Sequence, residues 1–352
     1  MDSVTQAVLG AGIAGALMGP RYGRKAILAG AVLATIPDLD VIIDYGDPLS
    51  QMINHRGFSH SLFVLTGLSL FLAWLARRLR LHGDGQGYGR LLLTIWLILI
   101  THPILDAFTS YGTQLWWPLR PTPSSWSSVF IIDPFYTVPL LAGVLVALIV
   151  GLRPAMCRTL GSLLLIGAAY LLASQAAKQW AEHRVHDMLV ERGRQPVAMF
   201  SVPQPFNIVL WRVVARLEDG NYVEAVTGML DGRTPEFIEF PSNAGLGEAL
   251  QPRDKIDGLR WFTDDWLRYD DIDGQLVVSD LRMGIGTGHY SFRFLIGERD
   301  PQTGEWRAVT PDYWQRGPAS RDMAALRTTL ARVWQTGSPL PLAMWNQRMT
   351  AP

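Results

Sequence analysis

Up to about position 177 the chain alternates long apolar runs with short polar clusters; beyond it the pattern is different. A helix that crosses a bilayer needs ~20 mostly apolar residues. Runs near that length occupy about 60–79, 90–107, 135–152 and 159–177, and weaker Gly- and Ala-rich runs precede them at about 4–18 and 26–43. The stronger runs predict spanning helices. The weaker ones predict short or tilted helices packed through small residues. From Lys178 onward the chain reads as a water-soluble protein. "AAKQWAEHRVHDMLVERG" predicts a helix leaving the membrane, and "NIVLWRVVARLEDG", "NYVEAVTGML", "QLVVSDLRMGIG" and "YSFRFLIGE" predict strands separated by DG, NA and GTG turns. "RDMAALRTTLARVW" predicts a helix between or after them. The expected fold class is a polytopic α-helical membrane domain over 1–177, with about six hydrophobic segments, followed by a mainly β (α+β) soluble domain over 178–352.

Basic residues orient this arrangement. Arg21, Arg24 and Lys25 lie between the first two segments; Arg77, Arg78, Arg80 and Arg90 flank the next connection of the same parity; Arg153 and Arg158 lie between the last two. Positively charged connections stay in the cytoplasm. The loops 44–54 and 110–132 and the domain from 178 are therefore expected outside a bacterial inner membrane. Composition narrows the function classes further. Hydrophobic residues make up 49% of 352 positions, and 31 basic side chains balance 31 acidic ones, so the basic excess of a nucleic-acid binder is missing. Cys157 is the only cysteine, which excludes an intrachain disulfide and a cysteine-based zinc site. "MDSVTQAVLGAGIAGALMG" lacks the basic start of a signal peptide.

The polar residues that hydropathy does not explain gather on one expected face. "PDLD" brings Asp38 and Asp40, "HRGFSHS" brings His55, Arg56 and His60, "THPILD" brings His102 and Asp106, and "IIDPFYT" brings Asp133. His102 and Asp106 are four apart, which places them on one side of a helix. Ionisable groups at a bilayer edge are costly unless paired or metal-bound. Of seven histidines, three fall here, beside several carboxylates. Neutral imidazoles with carboxylates are the donor set of zinc, manganese or iron hydrolytic centres. Asp38, Asp40, His55, His60, His102 and Asp106 are the candidate ligands of one or more divalent ions, zinc foremost. Arg56 and Asp133 are the candidate catalytic groups, one for electrostatic stabilisation and the other as a base. The bland alternatives are that Asp38 and Asp133, each beside a proline, cap helices or turns, and that the cluster relays protons or ions.

As a set, "MDSVTQAVLGA", "IPDLDVI", "HRGFSHS", "THPILDAFTSYGTQLWWP" and "IIDPFYTVPLL" resemble the LexA-regulated, inner-membrane-associated metal-dependent hydrolases, in order from residue 1 to about 152. That family is similar, distantly, to zinc-dependent phospholipase C. The resemblance implies a metal site built from Asp38 or Asp40, His55, His60, His102 and Asp106, and a lipid or phosphoester substrate. The family pattern has a histidine where this chain has Gln6.

Three functions remain open on the sequence: a hydrolase at the outer face of the membrane, an ion-coupled transporter, and a non-catalytic scaffold with a structural metal. Membrane lipids are the expected partners, and nucleic acid is not. In the C-terminal part, His183 and His186 read as surface residues and "MGIGTG" reads as a turn rather than a nucleotide-binding loop. Covering the site, presenting substrate and binding an envelope partner are the roles open to that domain.

Overall fold

The computed structural model of the protein describes residues 1–79, 87–285, 289–314, 319–337 and 339–347. Arg80 and the 286–288 turn lie outside those residues. The chain divides into two compact units. The first comprises Met1–Ile43, His55–Trp126 and Ile131–Ala173; the second comprises Asp44–Asn54, Ser127–Phe130 and Ser174–Pro352.

The first unit is helical. Helix α1 (Ser3–Tyr22) starts where the Asp2 carboxylate accepts the Thr5 backbone N–H, an N-cap that satisfies one of the free donors of the first turn. Its buried positions are largely Gly and Ala, and α2 (Arg24–Ala34) lies against it backbone to backbone. A Cβ on Gly30 would collide with the Gly10 carbonyl oxygen and stand 2.5 Å from the Ala14 Cβ, so only glycine permits this approach. The apolar run continues to Ile43 in sequence, but the helix stops at Ala34. Pro37 supplies no N–H with which to continue the hydrogen-bond ladder of α2. The chain instead forms a tight 3-10 turn over Pro37–Ile42.

Helix α3 (Pro48–Asn54) belongs to the second unit, where Lys255 donates to Asp47 and to the Ser50 hydroxyl, each at 2.7 Å. Back in the first unit, α4 (Leu62–Arg78) and α5 (Tyr88–Ala107) pack through Leu65, Ala73, Ile95, Leu99 and Ile100. Trp96 Nε1 ties α5 to Thr66 on α4 at 3.1 Å. Helix α6 (Pro134–Val150) packs on α1, and its last carbonyls receive the Arg24 guanidinium, which donates to Ile149 O at 2.6 Å. Helix α7 (Pro154–Glu191) is 38 residues long.

Six spans were expected, and the structure revises that number. Among the described residues two helices, α5 and α7, are long and apolar enough to cross a membrane; α4 makes a third only if it and the bent Pro48–His60 stretch count as one broken span. The others fall short for physical reasons. With 11 residues, α2 reaches ~16 Å, and α6 with 17 reaches ~26 Å, against a ~30 Å hydrocarbon core. α1 has the length, but its sequence, with Ser3, Thr5, Gln6 and several glycines, is not apolar enough. Hydropathy along a sequence does not separate a core helix from a lipid-facing one.

The second unit is β-rich. Strands β1 (Pro196–Pro203), β2 (Leu210–Leu217), β3 (Asn221–Gly228) and β4 (Glu236–Pro241) form an antiparallel meander in sequence order. The last turns of α7 cover one face of it, with Ala181, Val185 and Leu189 against Trp211, Val213 and Val223. Phe200, Val214 and Tyr222 pack on Trp266 and Tyr290 at the other. Burial on both faces is why β2 reads as a nearly continuous apolar run instead of alternating. Arg212 and Glu224 form a fully buried ion pair between β2 and β3, and the Tyr290 hydroxyl donates to Glu224 at 2.7 Å. Burial, reinforced by the Glu224 carboxylate, pushes that phenol well above its usual pKa, so it stays protonated as a donor. A second antiparallel sheet contains β5 (Leu267–Ile272), β6 (Gln275–Asp280), β9 (Arg293–Arg299) and β10 (Trp306–Tyr313), in the order β10-β9-β6-β5. A short ribbon, β7 (Gly284–Ile285) with β8 (His289–Tyr290), stands apart. The four strands read from sequence correspond to β2, β3, β6 and β9, the interior strands of the two sheets.

The α1–α2 contact yields a test. Gly30→Val should overpack it and cost about 1–3 kcal/mol, seen as a lower melting temperature in detergent. Gly67→Ala, on α4 with nothing within 4 Å of the added methyl, should leave it unchanged or raise it.

Candidate metal centre

The site forms where three local structures meet at one end of the helical unit: the 3-10 turn after α2, the 55–61 turn that leads into α4, and the last turns of α5. In a 3-10 turn, residues three apart eclipse. Pro37 and Asp40 accordingly form a buried row, Asp38 sits at the edge, and Leu39 and Ile42 face outward. The second turn is held by an unusual residue. Arg56 has φ of +61°, a left-handed conformation that a side chain rarely adopts. It persists because both of its backbone groups are engaged: the N–H donates to Asp40 Oδ2 at 2.9 Å, and the carbonyl accepts from Gln114 N at 3.1 Å. The turn ends in a short 3-10 segment, Phe58–His60, and Ser61 caps α4. On α5, His102 and Asp106 project from one face, as their spacing predicts.

These turns bring Asp38, His60, His102 and Asp106 together as a group that could hold a metal ion. His60 Nε2 lies 3.4 Å from Asp38 Oδ1 and 3.3 Å from Asp106 Oδ2. His102 Nε2 lies 3.3 Å from Asp38 Oδ1 and 3.5 Å from Asp106 Oδ2. A tetrahedron with metal–ligand bonds of ~2.0–2.1 Å has edges of ~3.3–3.4 Å, close to these four histidine–aspartate separations, and all four ligand atoms lie within 4.8 Å of one another. His60, His102 and Asp106 are fully buried, and Asp38 is 23% exposed, so the site opens to solvent on the Asp38 side.

The surrounding hydrogen bonds set which ring atoms face inward. His102 Nδ1 is 2.7 Å from the Ala34 carbonyl, which accepts only, so Nδ1 carries the proton and Nε2 keeps its lone pair. The Ser59 hydroxyl donates to Asp40 Oδ2 at 2.8 Å and therefore accepts from His60 Nδ1 at 2.9 Å, again leaving Nε2 with a lone pair. Asp106 Oδ1 accepts from the Met1 amino group and from Gln6 Nε2 at 3.1 Å, with the Arg56 guanidinium 3.3 Å away. Its other oxygen, Oδ2, and His60 Nε2 are buried atoms with no hydrogen-bond partner. Two imidazole nitrogens and two carboxylate oxygens thus face one point, and a divalent cation is what such a donor set fits.

The remaining sequence candidates lie elsewhere. Asp40 and His55 are outside the group of four: Asp40 bonds His55 Nδ1 at 3.1 Å and steadies His60 through Ser59. Arg56 is buried beside Asp106, with its guanidinium over the Tyr111 ring at 5.0 Å and NH1 donating to Thr109 Oγ1 at 3.3 Å. Asp133 caps α6. Its Oδ1 accepts from Phe135 N and Tyr136 N, and its Oδ2 accepts from Tyr170 at 2.8 Å, so its oxygens are occupied away from the group. Gln6, at the family's histidine position, donates to Asp106 and to the His102 carbonyl. His183 and His186 are exposed on α7. Sequence reading missed Ser59 and the Ala34 carbonyl. The serine next to His60 was the one available signal; a backbone carbonyl leaves none.

A family model described as "YdjM inner membrane protein" matches residues 1–181, which include all four residues of the group. The chain belongs to the YdjM inner membrane protein family. Among its relatives is the uncharacterized protein YfhP of Bacillus subtilis, 26% identical over 233 residues, or 63% of this chain and 67% of that protein. The inner membrane protein YbcI of Escherichia coli is 30% identical over 110 residues, 31% of this chain and 59% of that protein. No solved structure matches. YdjM membership agrees with the apolar helices in assigning the chain to the inner membrane, and it extends only about to the point where α7 meets the β-rich part.

The hydrogen-bond layers predict graded effects on metal content. His60→Ala, His102→Ala and Asp106→Ala should each abolish stoichiometric metal. Ser59→Ala and Asp40→Asn should keep the site but weaken affinity by ~10–100-fold. Asp133→Ala should lose a helix cap worth about 0.5–2 kcal/mol and retain full metal content. Metal analysis and thermal unfolding of the purified variants separate these outcomes.

Proposed function

We propose that the chain is a membrane-bound, metal-dependent hydrolase, with zinc held by Asp38, His60, His102 and Asp106, acting at the outer face of the inner membrane on a lipid or phosphoester. The observation that carries this reading is the convergence of four donor atoms within 4.8 Å of one another, two of them buried and otherwise without partners. An ion bound there supplies Lewis acidity toward a phosphoryl or acyl oxygen. The protein's own groups are suited to the rest. Asp38 marks the side from which substrate enters. Arg56 places a permanent positive charge against Asp106, where it offsets the carboxylate charge and stabilises negative charge that develops nearby. The His55–Asp40 pair, partly exposed at the same turn, can hold a proton for a leaving group. The likeness to zinc-dependent phospholipase C points to phosphoesters among the candidate substrates.

Position favours this reading over a carrier. The donors come from the start of α4 and the end of α5, whereas carrier sites form near the bilayer midplane. A structural metal is the second reading, favoured by one observation: the group offers four protein donors, the number found in closed zinc sites. The partial exposure of Asp38 is what leaves room for substrate.

Zinc-loaded protein, screened against phosphodiesters and phospholipids, should show turnover that chelation removes. Arg56→Ala should retain metal and lose ~10²-fold or more in turnover, and Arg56→Lys should recover only part of it. Chelation that lowers the melting temperature of a protein inactive on every substrate would select the structural reading instead.

The proposed topology puts the basic connections around Arg21, Arg78 and Arg158 in the cytoplasm, and the site and the β-rich part outside. A C-terminal fusion should therefore be active with a reporter that works only outside the cytoplasm. Activity of a cytoplasm-only reporter at that position would reverse the orientation.

A further inference from the structure

The polar site is edged by exposed apolar side chains on two sides. From the first turn, Leu39 and Ile42 are 55% and 81% exposed, although they flank the buried Asp40. From the second turn and the loop beside it, Phe58, Trp116 and Trp117 are 43%, 45% and 38% exposed. Water-soluble proteins rarely gather side chains of this size on one open surface.

This rim is built onto the site. The loop that carries the two tryptophans is pinned to the His60 turn by three hydrogen bonds: Leu62 N to Leu115 O at 2.9 Å, Gln114 N to Arg56 O at 3.1 Å, and Ser61 Oγ to Trp117 O at 2.6 Å. Phe58 meets Trp117 edge-on at 6.2 Å between ring centroids. The 3-10 turn over Pro37–Ile42 packs against Phe58–His60, so both edges belong to one local structure. Each rim residue stands within two positions of a ligand or of a residue bonded to the ligand turn. Moving the rim would move the site.

The rim also continues an apolar helix face. Phe63, the second residue of α4, lies 6.1 Å from Trp116, and Leu70, Phe71 and Trp74 are exposed further along the same helix. In an inner-membrane family, such a face contacts acyl chains. Tryptophan at its end is the side chain favoured where hydrocarbon gives way to head groups, because its ring is apolar and its N–H still needs a partner.

We infer that Leu39, Ile42, Phe58, Trp116 and Trp117 form an interfacial rim that sits in the lipid head-group layer and holds the open side of the Asp38–His60–His102–Asp106 site at that depth. Its occupant is the bilayer surface itself. The consequence for substrate rests on the hydrolase reading: a site fixed at this depth meets the phosphate of a membrane phospholipid arriving sideways, in preference to a dissolved phosphoester.

The test uses the full chain in phospholipid vesicles. Cys157, the only cysteine, is replaced by alanine, and a nitroxide is attached through Leu39→Cys, Phe58→Cys or Trp116→Cys, with Glu305→Cys in the second unit as the aqueous reference. Ile42→Cys and Trp117→Cys replace any variant that fails to insert. Power saturation should show each rim label colliding with oxygen, relative to a water-soluble nickel chelate, several-fold more than the label at 305. Rim labels that match the one at 305 would overturn the inference. So would labels shielded from both reagents, because a protein surface would then cover the rim. Metal content, measured on the same samples, keeps the two readings apart. Lipid-embedded labels on a protein that binds no metal remove the hydrolase reading and leave the rim. Aqueous labels on a metal-loaded protein do the reverse.

Discussion

Most of the helical unit can be understood from one electrostatic problem, the burial of like-natured donors against one another. Asp38 and Asp106 bring two carboxylates, and His60 and His102 bring two imidazole nitrogens whose lone pairs point inward, all within 4.8 Å. Buried unpaired charge is among the most expensive features a fold can carry. On the inner side His102 Nε2 reaches Asp38 Oδ1 at 3.3 Å, while His60 Nε2 and Asp106 Oδ2 are left without a hydrogen-bond partner; the Arg56 guanidinium contacts the other oxygen of Asp106. The neighbouring hydrogen bonds hold that unfavourable arrangement in place. Ala34 O and Ser59 fix the ring orientations, and Gln6 fixes the carboxylate. The glycine contact between α1 and α2 belongs to the same logic. It carries Ala34 to the end of α5, where its carbonyl is needed, at a spacing that larger residues would not allow.

This arrangement was partly legible in the sequence, for reasons that differ residue by residue. His102 and Asp106 could be paired because helix periodicity is local, and a four-residue step fixes a shared face. His60 could be nominated because a histidine at the edge of an apolar run has few bland explanations. Asp38 and Asp40 could not be ranked. Which of them reaches the ion depends on the 3-10 geometry of the turn, which eclipses Asp40 with Pro37 and leaves Asp38 at the edge, and composition does not encode that choice. Asp133 illustrates the opposite error. An aspartate before a proline at a helix start carries its own local explanation, and here that explanation holds, with two backbone N–H groups and one tyrosine using its oxygens.

The same contrast applies to the fold. Helices were visible wherever apolar residues ran unbroken, but their number as spans was not, because it depends on where each helix stops: α2 ends at Ala34 after 11 residues and α6 has 17. In the β-rich part the interior strands β2, β3, β6 and β9 stood out, since burial on two sides concentrates Val, Leu and Phe in them. The edge strands β1, β4, β5 and β10 were not read as strands; β1, β4 and β10 each contain at least one proline. Buried ion pairs such as Arg212–Glu224 were hidden for a related reason: a charge in a strand reads as solvent-facing until its partner on the next strand is known.

One short motif shows how polarity and lipophilicity can share six residues. Over 37–41 PDLDVI alternates as a strand would, which would put both aspartates on one face, and the 3-10 turn that forms instead sets them apart. Wound as a 3-10 turn it sorts into three rows: Pro37 with Asp40, Asp38 with Val41, Leu39 with Ile42. The first row is buried and serves the hydrogen-bond layer around His60. The second carries Asp38, which reaches the donor group and remains partly exposed, and Val41, which is 65% exposed. The third is open, at 55% and 81% exposure. An α-helix of the same composition would spread its polar residues over a wider arc and bring one of the aliphatics into the site. The proline that ends α2 therefore does more than stop a helix. It opens a 3-10 turn in which Asp38 joins the His60–His102–Asp106 group while Leu39 and Ile42 stay exposed beside it.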